Sequence, residues 1–302
     1  MRPTLRSALL SITGPHRSSN QDAAVASTGY ALVADGVGGH AGGDVASRVV
    51  GGTVVQSLRG RTVAQVPDPE LAAILERANA ALAEQSAAEP RLTGLATTFT
   101  GIFAGPHGLR VAHIGDSRGY MVRGGIGSRV THDDSYVQLL VDTGVLDPAA
   151  AWQHPQGNLL TRVLSGTRQD AEHVGLQHHE ARAGDRWLLC SDGLTDYVEE
   201  PGVLRILISA AGPQEATERL LAAALAADAH DNVTVVVCDV VDLDHPGSAL
   251  RETGGPEVPE VPELLLGGSI LRHDGEPNLE APAPLLAVGP QDAGSNGNRQ
   301  NG

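Results

Sequence analysis

The chain contains no lysine: all 21 of its basic residues are arginine, against 36 acids and a formal net charge of −15. That balance argues against a nucleic-acid partner, which needs a cationic face against phosphate. The missing lysine goes with an excess of Ala and Gly and reads as composition bias, not as a site. Aromatics are only 3% of the residues, so any core must be aliphatic. Cysteine is scarce: Cys190 and Cys238 each sit inside an apolar run, which predicts reduced core thiols and a cytoplasmic protein over a disulfide. No apolar run approaches the ~18 residues of a membrane span, so no membrane partner is expected. The N-terminus has no signal-peptide core, because Leu9-Leu10 gives way to Thr13-Gly14-Pro15.

What is present is 302 residues, 41% of them hydrophobic. This length suits one domain of roughly 240 residues plus a tail, large enough to bury its core without staples. We place the domain at 1–242. After Asp242, Pro, Gly and acids dominate, with nine Asp or Glu against three Arg from Leu243 onward. Residues 243–302 are therefore expected to be a disordered tail. Leu264-Leu265-Leu266 and Pro284-Leu285-Leu286 are read as plain tail before docking motifs.

The chemistry is written at the ends of apolar runs. Tyr30–Ala34 stops at Asp35-Gly36, Val111–Gly115 at Asp116, and Trp187–Ser191 at Asp192-Gly193, while Asp231-Asn232 opens Val233–Val237. A short apolar run bounded by turn residues reads as a buried strand. One Asp-Gly alone is a turn. Acids at the ends of several strands repel one another and are costly to desolvate, and a cation is the simplest remedy. Oxygen ligands without His or Cys pairs favour a hard ion, Mg²⁺ or Mn²⁺. Glycine after Asp35 and Asp192 lets backbone and ion approach closely.

Between these points the pattern predicts helices at Asp44–Leu58, Glu70–Ala88, Tyr136–Thr143, Pro201–Ala210 and Gln214–Ala227. Strands are expected at Ser7–Thr13, Ala23–Ser27, Gly94–Ala104, Leu109–Ile114, Gly119–Arg123, Ala171–His179, Asp185–Ser191 and Val233–Val241. Ser135 is a helix N-cap candidate. Leu159–Leu164 reads as a short helix or strand, and Leu146–Asn158 as a flexible flap. Helices segregated from antiparallel strands imply an α+β fold, with two antiparallel sheets packed as a sandwich between pairs of helices.

In the same order along the chain stand Arg17-Ser18-Ser19-Asn20-Gln21-Asp22, Val33-Ala34-Asp35-Gly36-Val37-Gly38-Gly39-His40, Ala96-Thr97-Thr98-Phe99, Gly115-Asp116-Ser117-Arg118, His154-Pro155, Leu189-Cys190-Ser191-Asp192-Gly193-Leu194 and Asp231-Asn232-Val233-Thr234. From about Leu5 to Val241 the chain resembles the metal-dependent Ser/Thr protein phosphatases of type 2C in their short bacterial form. The resemblance implies a dimetal site of Mn²⁺ or Mg²⁺. Asp35 would bridge two ions and Gly36 lend one its carbonyl. Asp192 and Asp231 would ligate the other ion. Asp22 would hold metal-bound waters, and Asp116 with Asp192 a third, weaker ion. Arg17 would grip the substrate phosphate; its plain alternative is a surface salt bridge, with Asp22 nearby.

The implied activity is hydrolysis of phosphoserine and phosphothreonine in proteins by a dimetal-activated hydroxide, as a monomer in signal transduction. One departure stands out. Eukaryotic members carry a His directly after the Asp-Gly pair, whereas Val37 stands here; the leaving alkoxide would then be protonated by metal-bound water or another group, with His40 and His154 the nearby candidates. Two other functions are weighed: an inactive scaffold with the same fold, and a phosphatase dedicated to one partner in a sigma-factor switch. A small-molecule phosphomonoesterase is the least favoured.

Overall fold

A computed structural model of the chain describes residues 3–37, 42–152, 154–242 and the backbone of 263–266. In chain order the strands are β1 (Pro3–Ile12), β2 (Ala23–Ala26), β3 (Tyr30–Ala34), β4 (Gly36–Val37), β5 (Ala96–Thr97), β6 (Phe99–Ala104), β7 (Gly108–Ile114), β8 (Arg118–Arg123), β9 (Ile126–Arg129), β10 (Gly175–Glu180), β11 (Arg186–Cys190), β12 (Val233–Asp242) and β13 (Glu263–Leu266). The helices are α1 (Gly43–Leu58), α2 (Asp68–Ala88), α3 (Tyr136–Asp142), α4 (Asp192–Thr195), α5 (Glu200–Ser209) and α6 (Pro213–Ala226).

Two antiparallel sheets carry the molecule. One has the order β1-β12-β11-β8-β9 and the other β10-β7-β6-β3-β2-β13. Between them lies an aliphatic core of Val33, Ile102, Val111, Leu189, Val236 and Val240, with Trp187 its largest side chain. The central strands of both sheets are buried on two faces, which is why they read as unbroken apolar runs and not as alternation. The outer face of the second sheet packs Leu32, Phe99 and Ile114 against Val50 and Val54 of α1 and Leu71 and Ile74 of α2. The outer face of the first packs Leu188, Val235 and Val237 against Val203 and Leu207 of α5 and Leu220 of α6. The result is the expected α+β sandwich, in four layers.

Buried arginines bind the layers. Arg186 forks onto Asp239 at 2.7 and 3.1 Å and donates to the Leu207 and Ala210 carbonyls at the end of α5. Arg110 donates to the carbonyls of Val63, Val66 and Ala104, tying the entry of α2 to β6 and β7. A delocalised fork with five donors suits this duty, because each orphan carbonyl left buried would be costly.

Ser135 caps α3 as expected, accepting from the Gln138 amide at 3.1 Å. Three readings need correction. Leu159–Leu164 forms neither helix nor strand, only isolated bridges Ser135–Leu160 and Thr97–Leu164. The flap is tethered: the Trp152 indole donates to the Thr195 carbonyl at 2.9 Å, and Pro148–Ala150 winds into a 3-10 turn. Glu263–Leu266, assigned to a structureless tail, pairs antiparallel with β2, Leu266 opposite Ala23. Its run of three leucines becomes a strand only where a free sheet edge is offered, and that edge is not visible in the local sequence. Pro284-Leu285-Leu286 and His40 lie outside the described residues. Among the described residues no helix is long and apolar enough to cross a membrane.

Candidate active site

All the strand-end acids come to one end of the sandwich. Asp35 follows β3, Asp116 lies in the β7–β8 connection, Asp192 opens α4 directly after β11, and Asp231 precedes β12. Together with Arg17, Gly36, Thr98 and Asn232 they line a cavity of about 190 Å³. Four carboxylates from four connections thus share one small space. The site draws Asp35 from one sheet, Asp192 and Asp231 from the other, and Asp116 from the crossing between them.

The backbone geometry is forced by crowding. Gly36 pairs with Thr97 in a two-stranded ladder, and the Asp35 carbonyl accepts from the Thr98 amide at 2.9 Å and the Thr97 hydroxyl at 2.8 Å. A Cβ on Gly36 would overlap the Gly43 carbonyl, and one on Gly193 the Asn232 carbonyl. Only glycine lets these segments meet. The Asp116 turn is held by neighbours. Thr98 and Ser117 share a hydrogen bond of 2.7 Å, and Arg118 clamps Asp133 with Nε and Nη2.

Asp22 sits behind the cavity and does not line it. It is 2% exposed. Its Oδ2 accepts from the Ser191 hydroxyl at 2.9 Å and the Thr234 hydroxyl at 2.6 Å, while Oδ1 is buried without a partner. Burial pushes its carboxyl up to about 6, against the pull of the Thr234 and Ser191 hydroxyls, and Asp192 adds to the rise. Burial likewise raises Asp35, with the charges of Asp22, Asp192 and Asp116 adding to it. Asp116 is raised by burial and then by Asp192, and Asp192 by burial and then by Asp231. Carboxylates that raise one another, beside an orphaned buried oxygen, form a site short of positive charge. The donors are all oxygen, and the residues fit hard divalent cations.

Arg17 is the cation that opens on the cavity opposite these acids. It takes the salt-bridge alternative, but with a different partner from the one expected: Nη2 donates to Asp231 at 2.6 Å, not to Asp22. Asn232 fixes the Arg17 loop, accepting from the Gln21 amide and donating to the Ser19 carbonyl. His154 does not line the cavity; its Nδ1 accepts from the Gln156 amide. Sequence reading passed over Asp196, which caps the C-terminus of α4 one turn after Asp192. The signal was the Asp-Gly-Leu-Thr-Asp spacing, which sets both acids on one helical face. Asp196 lines a second cavity of about 430 Å³ that shares Asp116 and Asp192 with the first and runs under Trp152.

An acid-lined cleft with an arginine at its mouth, at one end of a four-layer sandwich, defines a protein made to hold divalent cations beside an anionic ligand. Residues 16–227 match the family model for protein phosphatase 2C. The chain is 42% identical over 249 residues to the serine/threonine protein phosphatase PstP of Mycobacterium tuberculosis, covering 80% of this chain and 46% of that protein, so it spans about half that relative's length. It is 31% identical over 211 residues to a Listeria monocytogenes serine/threonine phosphatase stp, covering 69% of this chain and 83% of the relative. The crystal structure of the PstP catalytic domain in complex with two manganese ions superposes with a TM-score of 0.73 at 40% identity, over 80% of this chain and all of that one. The chain belongs to the protein phosphatase 2C family.

Proposed function

We infer that this chain is a Mn²⁺- or Mg²⁺-dependent phosphatase that hydrolyses phosphoserine and phosphothreonine in proteins, acting in the cytoplasm as a monomer. One observation carries the reading: Asp35, Asp116, Asp192 and Asp231 converge on a single cavity with Arg17 at its mouth. Asp35, Asp192, Asp231 and the Gly36 carbonyl would hold two ions, and Asp116 with Asp192 a weaker third. When bound, such ions supply a nucleophile at neutral pH and screen the phosphate's charge.

The chain's own residues do the rest. Asp22 is fixed through Oδ2 by Ser191 and Thr234, which leaves its buried Oδ1 unengaged behind the cavity. Once Asp231 is taken up by an ion, Arg17 loses that partner and offers its planar fork to two phosphate oxygens. Val37 has no proton to give, and among the described residues no histidine lines the cavity. Water in the cleft is the donor this reading assigns to the leaving alkoxide. The larger cavity beside Asp116 has room for the peptide flanking the phosphoresidue, and the tethered flap forms part of its wall.

The test is hydrolysis of a phosphothreonine peptide with Mn²⁺ and with EDTA. Turnover should need the metal and fall to background in Asp35→Asn and Asp192→Asn. Turnover that ignores EDTA, or survives either substitution, would refute the reading. Calorimetric titration with Mn²⁺ separates an enzyme from an inactive scaffold, which would bind weakly or not at all.

A further inference from the structure

Outside the acidic cleft, a second group of ligating side chains meets on the surface. His16 lies in the β1–β2 loop, and Asp228 and His230 lie between α6 and β12. One ligand atom from each falls within 4.8 Å of the other two, and all three residues are exposed. His230 Nε2 already stands 3.1 Å from Asp228 Oδ2. The His16 and His230 rings meet edge-on with centroids 4.3 Å apart. Asp228 is the one non-glycine residue with positive φ among the described residues, at 59°.

We propose that His16, Asp228 and His230 form a peripheral transition-metal site, separate from the acidic cleft. Two imidazoles and one carboxylate match Zn²⁺, Ni²⁺ or Cu²⁺ and not the hard ions that an all-oxygen centre selects. Three protein ligands leave one position of a tetrahedral ion to water. An entering ion takes a lone pair from each ring and one from the carboxylate. The hydrogen between His230 Nε2 and Asp228 moves to Nδ1 of the same ring, so no proton is lost. His16 immediately precedes Arg17, and His230 immediately precedes Asp231. The ion therefore straps together the two loops that carry the Arg17–Asp231 pair.

The experiment uses the full chain with Mg²⁺ in excess, so that the oxygen site is filled. Zn²⁺ is titrated by calorimetry and Cu²⁺ is read by electron paramagnetic resonance. One equivalent should bind, with nitrogen hyperfine coupling from two imidazoles, and Zn²⁺ should raise the melting temperature. His16→Gln and His230→Gln should each remove one nitrogen, and with Asp228→Asn each should weaken Zn²⁺ roughly tenfold or more. Asn tolerates the left-handed backbone at 228, so that variant keeps its fold. Asp35→Asn should leave the Cu²⁺ signal intact, which separates failure of this site from failure of the phosphatase reading. Metal-dependent turnover without Zn²⁺ should be unchanged in His16→Gln. No binding, a spectrum without nitrogen coupling, or affinity that survives both histidine substitutions would overturn the proposal.

Discussion

Asp22 is the buried acid whose titration would respond most directly to a cation in the cleft. In the unloaded protein its carboxyl titrates near 6, while in the unfolded chain it titrates at the ordinary 3.8. Between those values the folded state holds a proton that the unfolded chain has lost, so stability falls as pH rises through the window. At neutral pH the loss from Asp22 alone is on the order of 2–3 kcal/mol, and the raised carboxyls of Asp35, Asp116 and Asp192 add to it. The melting temperature of the EDTA-treated protein should therefore drop between pH 4.5 and 7, and saturating Mn²⁺ should flatten the slope. Asp22→Asn should shrink the drop and weaken Mn²⁺ roughly 10- to 100-fold by calorimetry; a slope unchanged by that substitution would remove Asp22 from this role. Arg17 gives a second residue-scale expectation. Charged hydrogen bonds are worth about 1.5–3 kcal/mol, so Arg17→Ala should lower kcat/KM on phosphopeptide roughly 10- to 100-fold. Arg17→Lys should restore only part of this, since an ammonium lacks the fork.

At the scale of elements, the two arginines on Asp239 separate burial from mere proximity. Arg186 is buried and joins β11, β12 and the end of α5, whereas Arg6 is 42% exposed and reaches Asp239 at 3.1 Å. Breaking the buried pair should cost about 3–5 kcal/mol, so Arg186→Met should lower the melting temperature by roughly 10 °C. Arg6→Ala should cost less than about 1 kcal/mol. Scanning calorimetry of both variants decides the matter, and equal losses would refute the distinction. The strand β13 has its own check. A chain ending at 242 should exchange the β2 amides of Ala23–Ala26 faster than the full chain, with β3 unaffected. Local pattern predicted the main helices and strands to within a few residues, because apolar runs and periodic faces are properties of neighbours in sequence. It passed over β9, the β4–β5 ladder and β13, which are short and exist only through their partners. Likewise Arg110 and Arg186 look like any other arginine until distant carbonyls are brought to them.

For the whole molecule, the cleft's acids were readable because each stands at the end of its own strand. The Arg17–Asp231 pair was not, since 214 residues separate the two along the chain. Nor was the His16–His230 contact, which spans a similar distance. The flap was expected to be loose because its composition is polar, yet a single indole anchors it to α4. Removing Leu146–Asn158 should change preference among phosphopeptides more than turnover of p-nitrophenyl phosphate, because the small ester needs only the acidic cleft. Equal loss of both activities would dismiss the flap as part of the substrate groove.

The cleft's acids come from both sheets and from the crossing that links them. Neither half of the polypeptide owns a complete set, so isolated fragments should fail to capture manganese however well each one folds. If the four acids hold the ions, a nascent chain becomes metal-competent only after Asp231, the last of the four, has been synthesised and β12 has docked. Ion capture at these acids would then act as a checkpoint on assembly, and chelators should bring early proteolytic nicking along the seam where the sheets meet.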